Sequence, residues 1–289
     1  MKTLQRRIQQ AAKEGGVNQI VVELDYAQTY VLLGIATHAA LRDTLVFKGG
    51  TALKKVYFGS YRFSEDVDFS SVDGPKGAAL EQAIRAAMGT AQAAARRLAP
   101  MTITVERYEE RAPHPGGQEA FTVRVQFPWQ RQPMVLVKIE VTDDEPVLLP
   151  AMRMPVRHGY DEPLDLAICT YAIEEICAEK LRSIRQTHAK LATQGWARSR
   201  GRDYYDLWHI TRLGEGRVDW ANVREILPRK CAHRHVTIAS VADLFEPALL
   251  EEVRAAWVRT LGPFVPELPD VEKVFAETRE RLETVLVGW

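Results

Sequence analysis

The chain has 289 residues, 46% of them hydrophobic and 26% charged, with 38 basic side chains against 38 acidic ones. This is enough chain for one large domain or two modest ones, and the composition excludes a disordered or low-complexity protein. A formal net charge of zero excludes a global basic field, so any nucleic-acid contact has to come from local patches.

The opening stretch MKTLQRRIQQAAKEGG is charged and lacks an apolar h-region, so it reads as a helix rather than a secretory signal. No run approaches the roughly 20 apolar residues expected of a membrane-spanning helix. The three cysteines, Cys169, Cys177 and Cys231, are widely spaced and give neither a disulfide framework nor a paired zinc signature. Cys231 with His233 and His235 lacks the recurring ligand-pair spacing of a zinc site. The expectation is a cytoplasmic protein with buried thiols and no membrane partner.

Helical periodicity runs from about Leu4 to Ala40 and breaks at Gly15-Gly16. A short apolar run, Leu45 to Phe47, ends at Gly49-Gly50, and Thr51 to Tyr57 reads as a helix with Thr51 near its cap. Asp66 to Ser70 alternates polar and apolar residues and predicts a strand, and the alanine-rich stretch from Ala78 to Leu98 predicts a helix. Three strands are expected at Thr102–Tyr108, Phe121–Phe127 and Met134–Val141, the first two joined by the loop RAPHPGGQEA. The span from Pro146 to Pro163 holds prolines at 146, 150, 155 and 163 and reads as a connector. Helices are expected beyond it at Ile173–Thr187, Asp203–Leu213, Trp220–Ile226, Pro247–Leu261 and Val271–Val287. The predicted class is α/β (α+β): a mixed-sheet domain over residues 1–160, then a mostly helical domain over 161–289.

The stretch that carries chemistry is KGGTALKKVYFGSYRFSEDVDFS, Lys48 to Ser71. A strand feeding Gly49-Gly50-Thr51 at a helix start forms a phosphate-binding corner, because glycine admits a close ligand and the first helical turn presents free amides. On the strand that follows, Asp66 and Asp68 share one face while Val67 and Phe69 point to the other. Two carboxylates held side by side repel unless cations neutralise them, and Mg²⁺, a hard oxygen-seeking ion, suits that role. Along Met134–Val141, Leu136, Lys138 and Glu140 share a face, which makes Glu140 either a third acidic residue of the site or a solvated edge charge.

A Gly-Gly-Thr helix start followed by an Asp-Val-Asp-Phe strand resembles the nucleotidyltransferase superfamily that includes DNA polymerase beta. More narrowly, Lys48–Ser71, with its YxxxxRFSED insertion (Tyr57, Arg62, Phe63, Ser64, Glu65, Asp66), resembles the signature of AbiEii/AbiGii-type nucleotidyltransferase toxins. The gap from Thr51 to Asp66 is longer than in many superfamily members, and the likeness fades after about Gly214. The resemblance implies nucleotide contacts at Lys48, Gly49, Gly50, Thr51 and Ser64 and Mg²⁺ ligation by Asp66 and Asp68.

Two positions in the helical half extend the pattern. Lys180 falls in the apolar stripe Ile173, Ile176, Cys177, Ile184, where an ammonium needs an anion or must snorkel to the stripe's edge. Asp203 and Asp206 share a helical face, and Asp203 reads as opening its helix. The resemblance implies that Lys180 meets the nucleotide's phosphates and that Asp203, with Asp206 as the alternative, is an essential carboxylate in the cleft. Arg198, Arg200 and Arg202, beside Trp196, form either an RNA-contacting patch or a solvated basic loop.

The expected activity is transfer of a nucleoside monophosphate from an NTP to an acceptor, with release of pyrophosphate. Similarity to the family implies a tRNA 3′ end as acceptor, blocked aminoacylation and a cognate antitoxin protein. A protein hydroxyl or a small molecule is the alternative acceptor, and a non-catalytic binding module is the remaining alternative.

Overall fold

The computed structural model describes residues 3–97, 100–109, 117–195, 198–214 and 216–286. Trp196, Leu98, Val287 and most of the RAPHPGG loop lie outside them. The chain divides into two compact units, 1–171 and 172–289.

The first unit opens with α1 (Leu4–Glu14), which buries Leu4, Ile8 and Ala12 at helical spacing and is capped by the Thr3 hydroxyl. After the break at Gly15-Gly16 comes α2 (Gln19–Thr37), capped by Asn18 and buried on nearly every side. Among the described residues α2 alone is long and apolar enough to cross a membrane, yet it is a core helix packed against α1 and the sheet. Its buried Glu23, Asp25 and Gln28 are polar groups with partners inside the unit.

Next come β1 (Leu45–Lys48), a short α3 (Gly49–Ala52) that runs directly into a π-helical turn (Leu53–Phe58), and β2 (Asp66–Ser71). They are followed by α4 (Gly77–Ala95), β3 (Thr102–Tyr108), β4 (Gln118–Gln126), β5 (Val135–Thr142), β6 (Met152–Pro155) and β7 (Ala167–Thr170). The seven strands form one mixed sheet in the order β3-β4-β5-β2-β1-β7-β6. β5 pairs parallel with β2 and β7 parallel with β1, while the remaining neighbours are antiparallel. Val67, Phe69, Phe121, Val137 and Ile139 are fully buried on one face, and α2 and α4 pack against the sheet. The alternate positions, Asp66, Asp68, Leu136, Lys138 and Glu140, form the other face.

Part of the expected connector, Pro146–Pro163, is strand. β6 sits at the sheet's outer edge and ends on Pro155, a position where a missing N–H leaves no ladder bond unmade. Because β7 pairs with β1 and Tyr171 N–H donates to the Phe47 carbonyl, the first unit extends to Tyr171 rather than ending at 160.

The second unit comprises α5 (Ile173–Gln194), α6 (Gly201–Ile210), α7 (Trp220–His233), a 3₁₀ turn (Val241–Leu244), α8 (Pro247–Leu261) and α9 (Val271–Val285). α5 packs on α7, and α6 packs on α8 and α9. α5 outruns its expected end at Thr187 and stops at Gly195, whose φ of 72° supplies the left-handed cap. α7 outruns its expected end at Ile226 and continues through Pro228, because its buried stripe carries on to Lys230 and Cys231. Fully buried Lys230 pairs there with Glu175 at 2.9 Å and Glu179 at 3.1 Å on α5.

Candidate active site

In the first unit, β1 and β2 bring the glycine corner and the aspartates together. Their antiparallel register sets Lys48 directly opposite Asp68. On the other side of β2, the parallel register sets Asp66 beside Lys138 and Asp68 beside Glu140. Paired positions share a sheet face, so three carboxylates and two lysines occupy one patch. Lys48 is buried and lies over the Tyr171 ring, with Nζ 5.4 Å from the centroid.

Gly49 has a φ of +77°, and a Cβ there would sit 2.2 Å from Asp68 Oδ2. Any side chain at 49 would therefore displace the carboxylate as well as strain the backbone. A Cβ on Gly50 would meet the Arg62 guanidinium at 2.5 Å and Ser64 Oγ at 3.1 Å. Arg62 and Ser64 are both buried, so the RFSED insertion packs beneath the corner.

Thr51 is fully buried, and its hydroxyl donates to the Asp66 carbonyl. It ties helix to strand, so its hydroxyl is committed within the unit. The helix begins at Gly49 rather than at Thr51, with Lys48 at its N-cap position.

Glu140 lies in register with Asp68 but accepts a hydrogen bond from Lys138 of its own strand. Among the described residues, no group of three His, Cys, Asp or Glu side chains is arranged to hold a metal ion. Two adjacent aspartates are nevertheless the donor set Mg²⁺ takes when substrate phosphates and waters complete its shell, and the space Asp68 occupies at Gly49 keeps its oxygen at the corner. The site residues fit such an ion.

α2 frames this site, through residues the sequence reading passed over. Gln28 Nε2 donates to the carbonyls of Ser64 (2.9 Å) and Glu65 (3.0 Å), fixing the chain just before Asp66. One turn earlier, Asp25 Oδ2 is 2.8 Å from Lys55 Nζ, and that ammonium also donates to the Asp25 carbonyl and Thr29 Oγ1. Burial pushes the Asp25 carboxyl up, but the Lys55 charge and hydrogen bond outweigh it and hold it below the ordinary range. Asp25 and Gln28, three apart on one helix face, thus brace the turn after Thr51 and the approach to Asp66. The available signal was a pair of polar residues inside the apolar run VVELDYAQTYVLL.

In the second unit, Lys180 is buried and bridges Asp203 Oδ1 at 2.9 Å and Asp206 Oδ2 at 2.6 Å. The expectation that a lysine in an apolar stripe needs an anion is met here by the unit's own carboxylates. Asp206 is fully buried, whereas Asp203 retains some exposure and also meets Arg200 at 3.4 Å. Burial raises the Asp203 carboxyl, and the Lys180 and Arg200 charges overcome that and keep it low. Asp203 lies in the first turn of α6 but does not cap it; the N-cap position is Arg200.

The arginines divide. Arg200 is committed to Thr187 (2.6 Å) and Asp203, Arg202 lies over the Phe264 ring at 5.1 Å, and Arg198 is exposed.

A glycine corner, a paired-aspartate strand and a mixed sheet backed by helices define the class as a nucleotidyltransferase. The family model "Nucleotidyl transferase AbiEii toxin, Type IV TA system" matches residues 31–286. The chain belongs to the AbiEii family of nucleotidyltransferase toxins of type IV toxin–antitoxin systems. In fold it is similar to MenT4, a nucleotidyltransferase toxin from Mycobacterium tuberculosis H37Rv, with a TM-score of 0.66 at 22% identity over 99% of this chain and 90% of that one. No curated protein matches the chain. Membership implies an NTP substrate and an antitoxin partner.

Proposed function

We propose that the protein transfers a nucleoside monophosphate from an NTP to an RNA acceptor, the 3′ end of tRNA, in a Mg²⁺-dependent reaction in the cytoplasm. The observation that carries the chemistry is the placement of Asp66 and Asp68 on one face of β2, with Gly49 pressed against the Asp68 carboxylate. The acceptor hydroxyl oxygen attacks the α-phosphorus, the bond to the β-phosphate bridging oxygen breaks, and pyrophosphate leaves. Bound Mg²⁺ would neutralise charge on the phosphates.

This chain's residues do the positioning. Asp66 and Asp68 would hold the ion. The amides of the Gly49-Gly50 turn, with Lys48 and Ser64 nearby, would receive the triphosphate. Lys180 is assigned to phosphate neutralisation and Asp203, the more accessible carboxylate of its triad, to the acceptor hydroxyl. Glu140 supports that hydroxyl through its place beside Asp68. Arg198 is the most available RNA contact of the three arginines. A tRNA capped in this way no longer accepts an amino acid, which would arrest translation until the antitoxin intervenes.

The test is to incubate purified protein with Mg²⁺, total tRNA and each labelled NTP in turn. Label entering tRNA supports the proposal. Label entering a protein or small-molecule fraction instead overturns the acceptor assignment and keeps the transfer chemistry.

A further inference from the structure

We infer that the open sheet face beside the aspartates, built from β3, β4 and β5, is a stacking platform for the single-stranded RNA just upstream of the reacting 3′ end. Tyr108 is its anchor. This rests on the reading that RNA is the acceptor.

The register fixes the geometry. One row across the sheet runs Tyr108, Ala120, Glu140, Asp68, and the next runs Glu106, Thr122, Lys138, Asp66. Residues in one row share a face, so Tyr108 lies on the carboxylate side, three strand spacings or about 14 Å from Asp68. The small Ala120 between them keeps the row low. Lys138 spans the gap: it donates to Glu140 and its Nζ lies 4.9 Å from the Tyr108 ring centroid.

Among the described residues, Lys138 covers one side of this ring and leaves the rest open. Tyr108 is 47% exposed; Leu136 and Met134, 51% and 57% exposed, lie toward the opposite end of β5. A single exposed ring costs little by itself; its place on the row that ends at Asp68 is what makes it available to a partner of the site.

The chemistry favours nucleic acid over a folded protein. The face is shallow, its aromatic ring is flanked by a cation, and it leads directly to the carboxylates. An unpaired base stacks on such a ring whatever its identity, and a lysine beside it meets the adjoining phosphate. Arg124, in an exposed ion pair with Glu106 at 2.5 Å, adds a second cation that a phosphate can recruit, since such surface pairs hold weakly.

The experiment measures transfer kinetics of the full chain with total tRNA and NTP varied separately, for wild type, Tyr108→Leu, Tyr108→Trp and Lys138→Ala. Tyr108→Leu should raise the KM for tRNA about tenfold, the effect of losing one stacked base, and leave the KM for NTP unchanged. Tyr108→Trp should behave as wild type, because the ring and not the hydroxyl is used. Tyr108→Leu with a wild-type KM for tRNA would overturn the platform, as would equal losses in Leu and Trp variants. If wild type labels protein instead of tRNA, the proposed acceptor falls first and the platform with it. Lys138→Ala should raise the KM for tRNA as well; if it alone does so, the cation and not the ring holds the RNA.

Discussion

The two charged clusters solve opposite problems. In the helical unit, Lys180 and Arg200 face Asp203 and Asp206 at short range, so the charges balance internally and Asp206 can be fully buried. On the sheet, three half-buried carboxylates meet half-buried Lys138 and buried Lys48, and Gly49 holds Asp68 at the corner. The first cluster is balanced by its own side chains, and the second is the one proposed above to be completed by a ligand. The lesson is that depth of burial separates the cluster that holds structure from the one proposed to take a substrate. The helical triad carries its structural role in addition to the one proposed for it.

Substitution separates the two most sharply. Asp68→Ala should cut transfer on the order of 10³-fold while leaving the melting temperature close to wild type, since it removes a half-buried carboxylate from a patch that carries one more acid than base. Asp206→Ala should cost about 3–5 kcal/mol in denaturant unfolding, because it strips one anion from a buried ammonium. If both variants lost stability equally, the contrast would collapse.

Gly49→Ala tests how closely the corner is fitted. Its Cβ would collide with Asp68 Oδ2, so activity should fall by about the same factor as for Asp68→Ala, with a stability loss of about 1–2 kcal/mol from the positive φ. Initial rates and chemical melts measure the two parts.

Gln28→Ala should be milder. Losing both bonds to the Ser64 and Glu65 carbonyls should lower kcat roughly tenfold and stability by about 1–2 kcal/mol, with the KM for NTP little changed. A raised KM with normal kcat would mean that α2 does not brace the aspartates.

The smallest effect is on acid stability. The Asp203 carboxyl is held below its ordinary value, so its contribution is fully present above the unfolded carboxylate pKa near 4 and is lost as pH falls through the lowered value. Asp203→Asn should flatten the acid limb of the melting temperature below about pH 4. An unchanged limb would place acid sensitivity elsewhere, for example at Glu162. Hydrogen bonds from His158, Tyr26 and Arg7 outweigh the effect of burial there and hold that carboxyl at about 2.

Much of this was legible in the residues. Period-two alternation marked β2 and β5, and with it the shared face of Asp66 and Asp68 and that of Lys138 and Glu140, because one side of the sheet is buried. The pairing of β5 with β2 was not, since it depends on a parallel register that no local pattern records. β6 and β7 were hidden by prolines and short length. Lys180 stands out in the sequence as a charge inside an apolar stripe, but its partners lie 23 and 26 residues away, on α6. Asp25 and Gln28 carried the same signal and were absorbed into an apolar helix, because periodicity weighs hydrophobic spacing and does not ask what a buried polar group must bond to.

The most direct measurement compares wild type with the near-isosteric Asp66→Asn and Asp68→Asn variants in transfer of label from NTP to total tRNA, with circular dichroism confirming that each is folded. The account predicts label in tRNA with wild type and none above background with either folded variant. Transfer at the wild-type rate by Asp68→Asn would contradict it, because the charge on β2 would then have no part in the chemistry.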